Sequence, residues 1–280
     1  LGRVALPLLF AMFVWWFSTG IILALNLLPK RARAGIMLGA TVMLACALMV
    51  LWTWRNETSL AGAYVSFSAG LAVWAWIEIA FLTGYVTGPS QAPCPPEARG
   101  FDRFFRALAT LLWHEAAILA GLGLVLVFAS GPGGLAGVGA YAVLLAMRMS
   151  VKINIFLGMP NAPHAFLPEH LRHLGTYFRD RPVNALFPVC VTGATLLTAW
   201  LAHQAWWAQD GATAAAYTML AALAGFAVLE HWFLALPLPS ENLWRWALPS
   251  RKSITRSLAS PLSGVSLPSG PESSPQRSRP

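Results

Sequence analysis

The sequence predicts an all-α, polytopic membrane protein of about seven spanning helices, with one amphipathic helix lying along the cytoplasmic membrane surface. Three observations carry that prediction. Hydrophobic residues make up 57% of the 280-residue chain and charged residues only 11%, whereas ordinary soluble domains are about a quarter charged. The apolar residues are gathered into separate runs, each near the ~20 residues that cross a bilayer. The charges sit mainly between the runs.

The runs follow in order. Residues 4–28 form the first, ended by Lys30, Arg31 and Arg33. It is too long for a signal-peptide core and lacks a clear A-x-A site, so it reads as a spanning helix. The second covers 36–54 and closes at Arg55-Asn56-Glu57. The third covers 60–86, contains Glu78, and leads into a loop with Cys94-Pro95-Pro96 and Arg99. The fourth, 104–128, carries His114 and Glu115. A Gly/Pro turn at 130–134 follows; its Gly131-x-Gly133-x-x-Ala136 pattern joins two helices and follows no strand, so it is no dinucleotide fingerprint. The fifth run, 135–156, ends among Arg148, Lys152 and Asn154. The sixth is 184–207 and the seventh 212–236, the latter with Glu230 and His231. Trp244, Arg245 and Trp246 read as an interfacial anchor. Residues 1–252 thus form one transmembrane domain, and the Ser/Pro-rich tail at 253–280 reads as disordered.

A net charge of +8 raises the question of nucleic acid. The placement of the charges answers it, because basic loops between apolar runs are what the positive-inside rule describes. The connections after runs one, three and five, with the tail, hold all but Arg3 and Arg55 of the 19 basic residues. That asymmetry puts the N-terminus outside and the C-terminus in the cytoplasm. The three cysteines form no C-x-x-C, so neither a disulfide framework nor a zinc ribbon is expected.

The longest polar interruption, residues 148–188, organises the chain. Within it Leu167, Leu171, Leu174 and Phe178 recur at helical spacing, and His170, His173 and Tyr177 form a second stripe beside them. The expectation is a surface helix near 166–180 whose histidines face the bundle.

Glu78, His114, Glu115, Glu230 and His231 fall on three runs at similar depths, roughly 8–15 Å below the inner surface at ~1.5 Å per residue. A charge in hydrocarbon costs at least ~2.5–3.5 kcal/mol, so such a layer implies pairing or a ligand. Both readings stand at this point. Glu78 can pair with Arg148 or Lys152, and the histidines can be neutral and hydrogen-bonded. Alternatively Glu78, His114, Glu115, His170, His173, Glu230 and His231 supply ligands to iron or another divalent metal, since imidazole and carboxylate suit such ions. A third possibility is a pigment, a chlorin ring whose magnesium is held by His231 or His114, with Ala227 one turn before His231 leaving room for a flat ring. The di-iron pattern is incomplete, because no Glu-x-x-His pair at i, i+3 lies in the runs.

Several segments together resemble the PuhE family, photosynthetic complex assembly proteins of purple bacteria. They are FVWWFSTG at 13–20, FLTGYVTGP at 81–89, CPP at 94–96, NIFLGMPN at 154–161, FLPEHL at 166–171, NALFP at 184–188 and LEHWFL at 229–234. The resemblance spans all seven runs and excludes the tail. It implies an inner-membrane protein encoded with reaction-centre genes, whose partners are reaction-centre and core-antenna subunits. It brings no catalytic residues. A membrane metal-dependent oxidoreductase acting on a pigment or lipid precursor is the rival expectation. A proton path through Glu78, Lys152 and Glu230 is the third; an odd helix number and no visible repeat weigh against it.

Overall fold

The computed structural model describes residues 2–164, 167–238 and 240–247. The tail at 253–280 and Phe166, at the start of the expected surface helix, lie outside the described residues. Seven helices are long and apolar enough to cross a membrane. They are α1 (Gly2–Asn26), α2 (Arg33–Trp54), α3 (Leu60–Leu82), α4 (Gly100–Phe128), α5 (Leu135–Leu157), α7 (Leu186–Trp207) and α8 (Gly211–Ala235). A single turn, α6 (Arg172–Gly175), lies in the α5–α7 connection, and no strand occurs among the described residues.

The helices have a simple physical origin. In lipid every backbone N–H and C=O must find its partner within the segment, which an apolar helix achieves. The 23 residues of α3 give a rod of about 35 Å, enough for a hydrocarbon layer of ~30 Å. Polar side chains mark the starts. Ser59 Oγ accepts from the Gly62 N–H at 3.2 Å and Asp210 Oδ1 from the Thr213 N–H at 2.8 Å, opening α3 and α8.

The centre of the bundle is α3, α5 and α8. Around it α2 packs on α3, α1 and α7 pack on α8, and α4 closes against α3 and α5. The α3–α5 crossing depends on small residues. A Cβ on Gly70 would run into the backbone of Gly137, so glycine lets the two helices touch. There the Gly137 N–H, a donor that the first turn of α5 leaves free, donates to Ser66 Oγ at 3.1 Å. The outer helices α1, α2 and α7 keep Leu9, Leu38, Met49, Leu196 and Trp200 exposed, a surface suited to lipid.

At the face where α1, α3, α5 and α8 end, the connections interlock. The Cys94 N–H donates to Thr176 Oγ1 at 2.8 Å, and the Tyr177 hydroxyl donates to the Ala92 carbonyl at 3.2 Å. The surface helix expected near 166–180 is much shorter than its apolar spacing suggests. A 3₁₀ turn at Glu169–Leu171 leads into α6, and helix ends at Gly175. The reason is competition for backbone groups. Arg103 takes the Tyr177 carbonyl, and the Met159 N–H takes the Arg179 carbonyl at 3.0 Å, where Asp180 bridges Met159 beyond the end of α5. The expected apolar stripe still buries itself, with Leu171 and Leu174 packed on Phe81.

Candidate functional site

The helix α5 is the hub of the polar interior. Its residues at 148 and 152 share one side, and those at 150 and 154 the other, since i and i+4 face alike. Arg148 grips the buried Glu78 carboxylate of α3 with two nitrogens: Nε donates to Oε1 at 2.9 Å and Nη2 to Oε2. One turn on, Lys152 Nζ meets Glu115 Oε1 of α4 at 2.6 Å. On the opposite side Ser150 Oγ lies 2.6 Å from His231 Nε2 of α8. Asn154 completes the set, its side-chain oxygen accepting from Asn184 Nδ2 at 3.1 Å, just before α7.

The His231 ring has both nitrogens engaged. Nδ1 lies 2.7 Å from the Ala227 carbonyl, which can only accept, so Nδ1 carries the proton and Nε2 of the neutral ring accepts from the Ser150 hydroxyl. Asn184 is equally committed. Its Nδ2 also donates to the Gly158 carbonyl at 2.9 Å, while its Oδ1 accepts from the Leu186 N–H at 2.9 Å and the Phe187 N–H at 3.2 Å. One side chain thus joins the end of α5 to the start of α7.

His114 is different. It is 0% exposed, its ring lies on Phe81 with centroids 4.2 Å apart, and neither ring nitrogen has a hydrogen-bond partner. It stands within electrostatic reach of Lys152, Glu78 and Arg148. Glu230 forms no ion pair among the described residues, and Arg148 is its electrostatic neighbour. At the surface, Arg33 Nη2 donates to His170 Nδ1 at 3.2 Å, while Nε2 of His170 and of His173 is buried without a partner. Burial first, and then Arg33, holds the His170 imidazole below its ordinary value, and burial does the same for His173.

Of the expected ligand set, the structure therefore brings Glu78, Glu115 and His114 around Arg148 and Lys152, and sets Glu230 near Arg148. It places His231 on the opposite side of α5, and His170 and His173 at the surface. Among the described residues no three His, Cys, Asp or Glu side chains stand together as metal ligands. The cause is the two α5 cations, which take Glu78 and Glu115 one each. Arg148 is the expected partner of Glu78, whereas Lys152, the alternative partner of Glu78, pairs with Glu115 instead; Ser150 and Asn184 are not among the expected site residues. Asn184 had a signal, an Asn shortly before the Leu-Phe-Pro start of a run, which is a helix-opening pattern.

Fold and site together define a polytopic membrane protein whose interior charges are largely paired across one central helix. The chain belongs to the family described as "Protein of unknown function (DUF3623)", which matches residues 1–255. It is 38% identical over 256 residues to the "Uncharacterized 30.4 kDa protein in puhA 5'region" of Rhodobacter capsulatus, covering 90% of this chain and 93% of that protein. No solved structure matches it significantly.

Proposed function

We propose that this protein assists assembly of the bacterial photosynthetic reaction centre and its core light-harvesting complex, from an inner-membrane position with the N-terminus outside and the C-terminus in the cytoplasm. The observation that carries the reading is the 38% identity, over 90% of this chain, to a protein of the puhA 5' region. The PuhE-like segments point the same way, and the distribution of basic residues supports the orientation. The interior suits a scaffold. Glu78 and Glu115 are neutralised by partners from the same chain and His231 is hydrogen-bonded at both nitrogens, so the side chains form a fixed frame.

That pairing does not fit a metal centre, because a divalent ion would have to displace Arg148 and Lys152 from their carboxylates. For a pigment, His114 is the remaining candidate of the cluster, with both nitrogens unpartnered; a chlorin ring there requires Phe81 to swing away. A deletion strain tests the proposal. Reaction centre and core antenna should fall while the extracted bacteriochlorophyll stays chemically normal. Accumulation of an altered pigment would point to the oxidoreductase reading instead. Metal and pigment analysis of the purified protein should find no stoichiometric iron or zinc.

A further inference from the structure

We propose that Arg179 and Arg181, with Arg103 beneath them, bind the phosphate of an anionic phospholipid whose acyl chains run along the neighbouring end of α4 and α5. The segment is built for two arginines to act together. Asp180 forms an isolated parallel bridge with Met159, and the strand-like segment around it is held by the Met159 N–H on the Arg179 carbonyl at 3.0 Å and by the Arg179 N–H on the Ile155 carbonyl at 3.4 Å. In extended chain alternate side chains share a side. Arg179 and Arg181 both face Gly158, where an added Cβ would lie 3.7 Å and 3.1 Å from their Cβ atoms. Asp180, between them, pairs elsewhere, with His164 Nε2 at 3.1 Å.

The third guanidinium comes from α4. Arg103 is buried, lies over the Phe156 ring at 4.0 Å, and donates to the carbonyls of Phe156 and Tyr177. Arg179 and Arg181 both act on it electrostatically. Three like charges are thus gathered in one place, and neither Arg179 nor Arg181 forms an ion pair among the described residues. The nearby Asp102 is taken by Arg106 at 2.8 Å. Like charges held together favour an anion among them, and guanidinium forks match phosphate oxygens.

The surroundings specify an amphiphile rather than a free ion. Phe104 packs on Phe156 at 6.0 Å, and Phe101 is 82% exposed in the first turn of α4. Ile153 and Leu157, one turn apart on α5, are exposed as well. An apolar surface therefore begins beside the guanidiniums and continues along helices that cross the membrane.

The experiment uses the full chain purified in a neutral detergent, with its thermal midpoint followed against phosphatidylglycerol, phosphatidylcholine or inorganic phosphate. Phosphatidylglycerol should raise the midpoint saturably and phosphatidylcholine should not. The Arg179→Gln/Arg181→Gln variant should need about tenfold more phosphatidylglycerol or beyond, as loss of charged hydrogen bonds implies. Arg179→Lys/Arg181→Lys should recover part of the response, and Arg31→Gln/Arg172→Gln should keep all of it. Equal responses to the two lipids, or equal losses in the two glutamine variants, overturn the proposal. An equal response to inorganic phosphate overturns the lipid assignment. If the glutamine pair does not fold, the lysine pair carries the test, because a phosphatidylglycerol requirement unchanged from the unaltered chain would remove the two guanidiniums from the site.

Discussion

Arg148 and Glu78 meet through two nitrogens of one guanidinium and both oxygens of one carboxylate, across the contact between α5 and α3. Taking two charges out of water is costly, and the pair recovers that cost only while both members are present. Glu78→Gln or Arg148→Gln alone should therefore lose about 3–5 kcal/mol. The double change Glu78→Leu/Arg148→Met should be far less harmful than the sum of the single ones. Unfolding in detergent, followed by helical circular dichroism, gives the cycle; additive losses would show that the two side chains do not act as a pair.

Asn184 should behave as a joint. Asn184→Ala removes the donor to the Gly158 carbonyl and the acceptor for the Leu186 and Phe187 N–H groups. The expected loss is about 1–3 kcal/mol. Asn184→Asp keeps the acceptor and should fall between the two. Hydrogen exchange should rise at the start of α7 in the alanine variant while α2 is unchanged.

Gly84 turns the chain out of α3 at φ +89°, and a Cβ there would meet the His170 ring at 3.0 Å. Gly84→Ala should cost about 1–2 kcal/mol through the left-handed backbone alone. The ring must also move, so protease cleavage within 169–175 should quicken. Unchanged cleavage would mean that His170 is not seated on that turn.

The same ring sets a pH dependence. His170 faces Arg33 and Lys30 at the start of α2, His173 on its own segment, and the backbone at the end of α3. Burial and Arg33 lower its folded value, whereas in the unfolded chain an imidazole titrates near 6.5. The unfolded chain therefore binds more protons in the window below that value. Stability from this contact is complete above pH ~6.5 and is lost as the pH falls towards the lowered folded value. Hydrogen-exchange protection across 169–175, with the intrinsic pH dependence of amide exchange divided out, should fall as the pH is lowered from 7.5 to 5.5, and His170→Gln should flatten that dependence.

The spans and the polar layer were legible because both are set by distances along the chain. A bilayer fixes how long an apolar run must be, and helical rise fixes the depth of Glu78, Glu115, Glu230, His114 and His231. Which group meets which was not legible beyond the offer of Arg148 or Lys152 to Glu78, because it depends on how α5 is rotated among four neighbours. Ser150 gave no signal, since a serine in an apolar run is unremarkable until a histidine is found opposite. The surface helix was over-read. Leu167, Leu171 and Leu174 repeat as a helix would, but spacing says nothing of the carbonyls that Arg103 and Met159 remove from it.

The arrangement of α5 also limits how this protein can diverge. Each residue inserted in a helix turns everything beyond it by about 100°. A single insertion between Arg148 and Lys152 would leave Glu78 matched but swing the ammonium off Glu115 and the amide off Asn184. Relatives can therefore exchange individual letters in this stretch, two at a time where charges are coupled, but should share its length without gaps, while insertions and deletions collect in the exposed turns such as the one between α7 and α8.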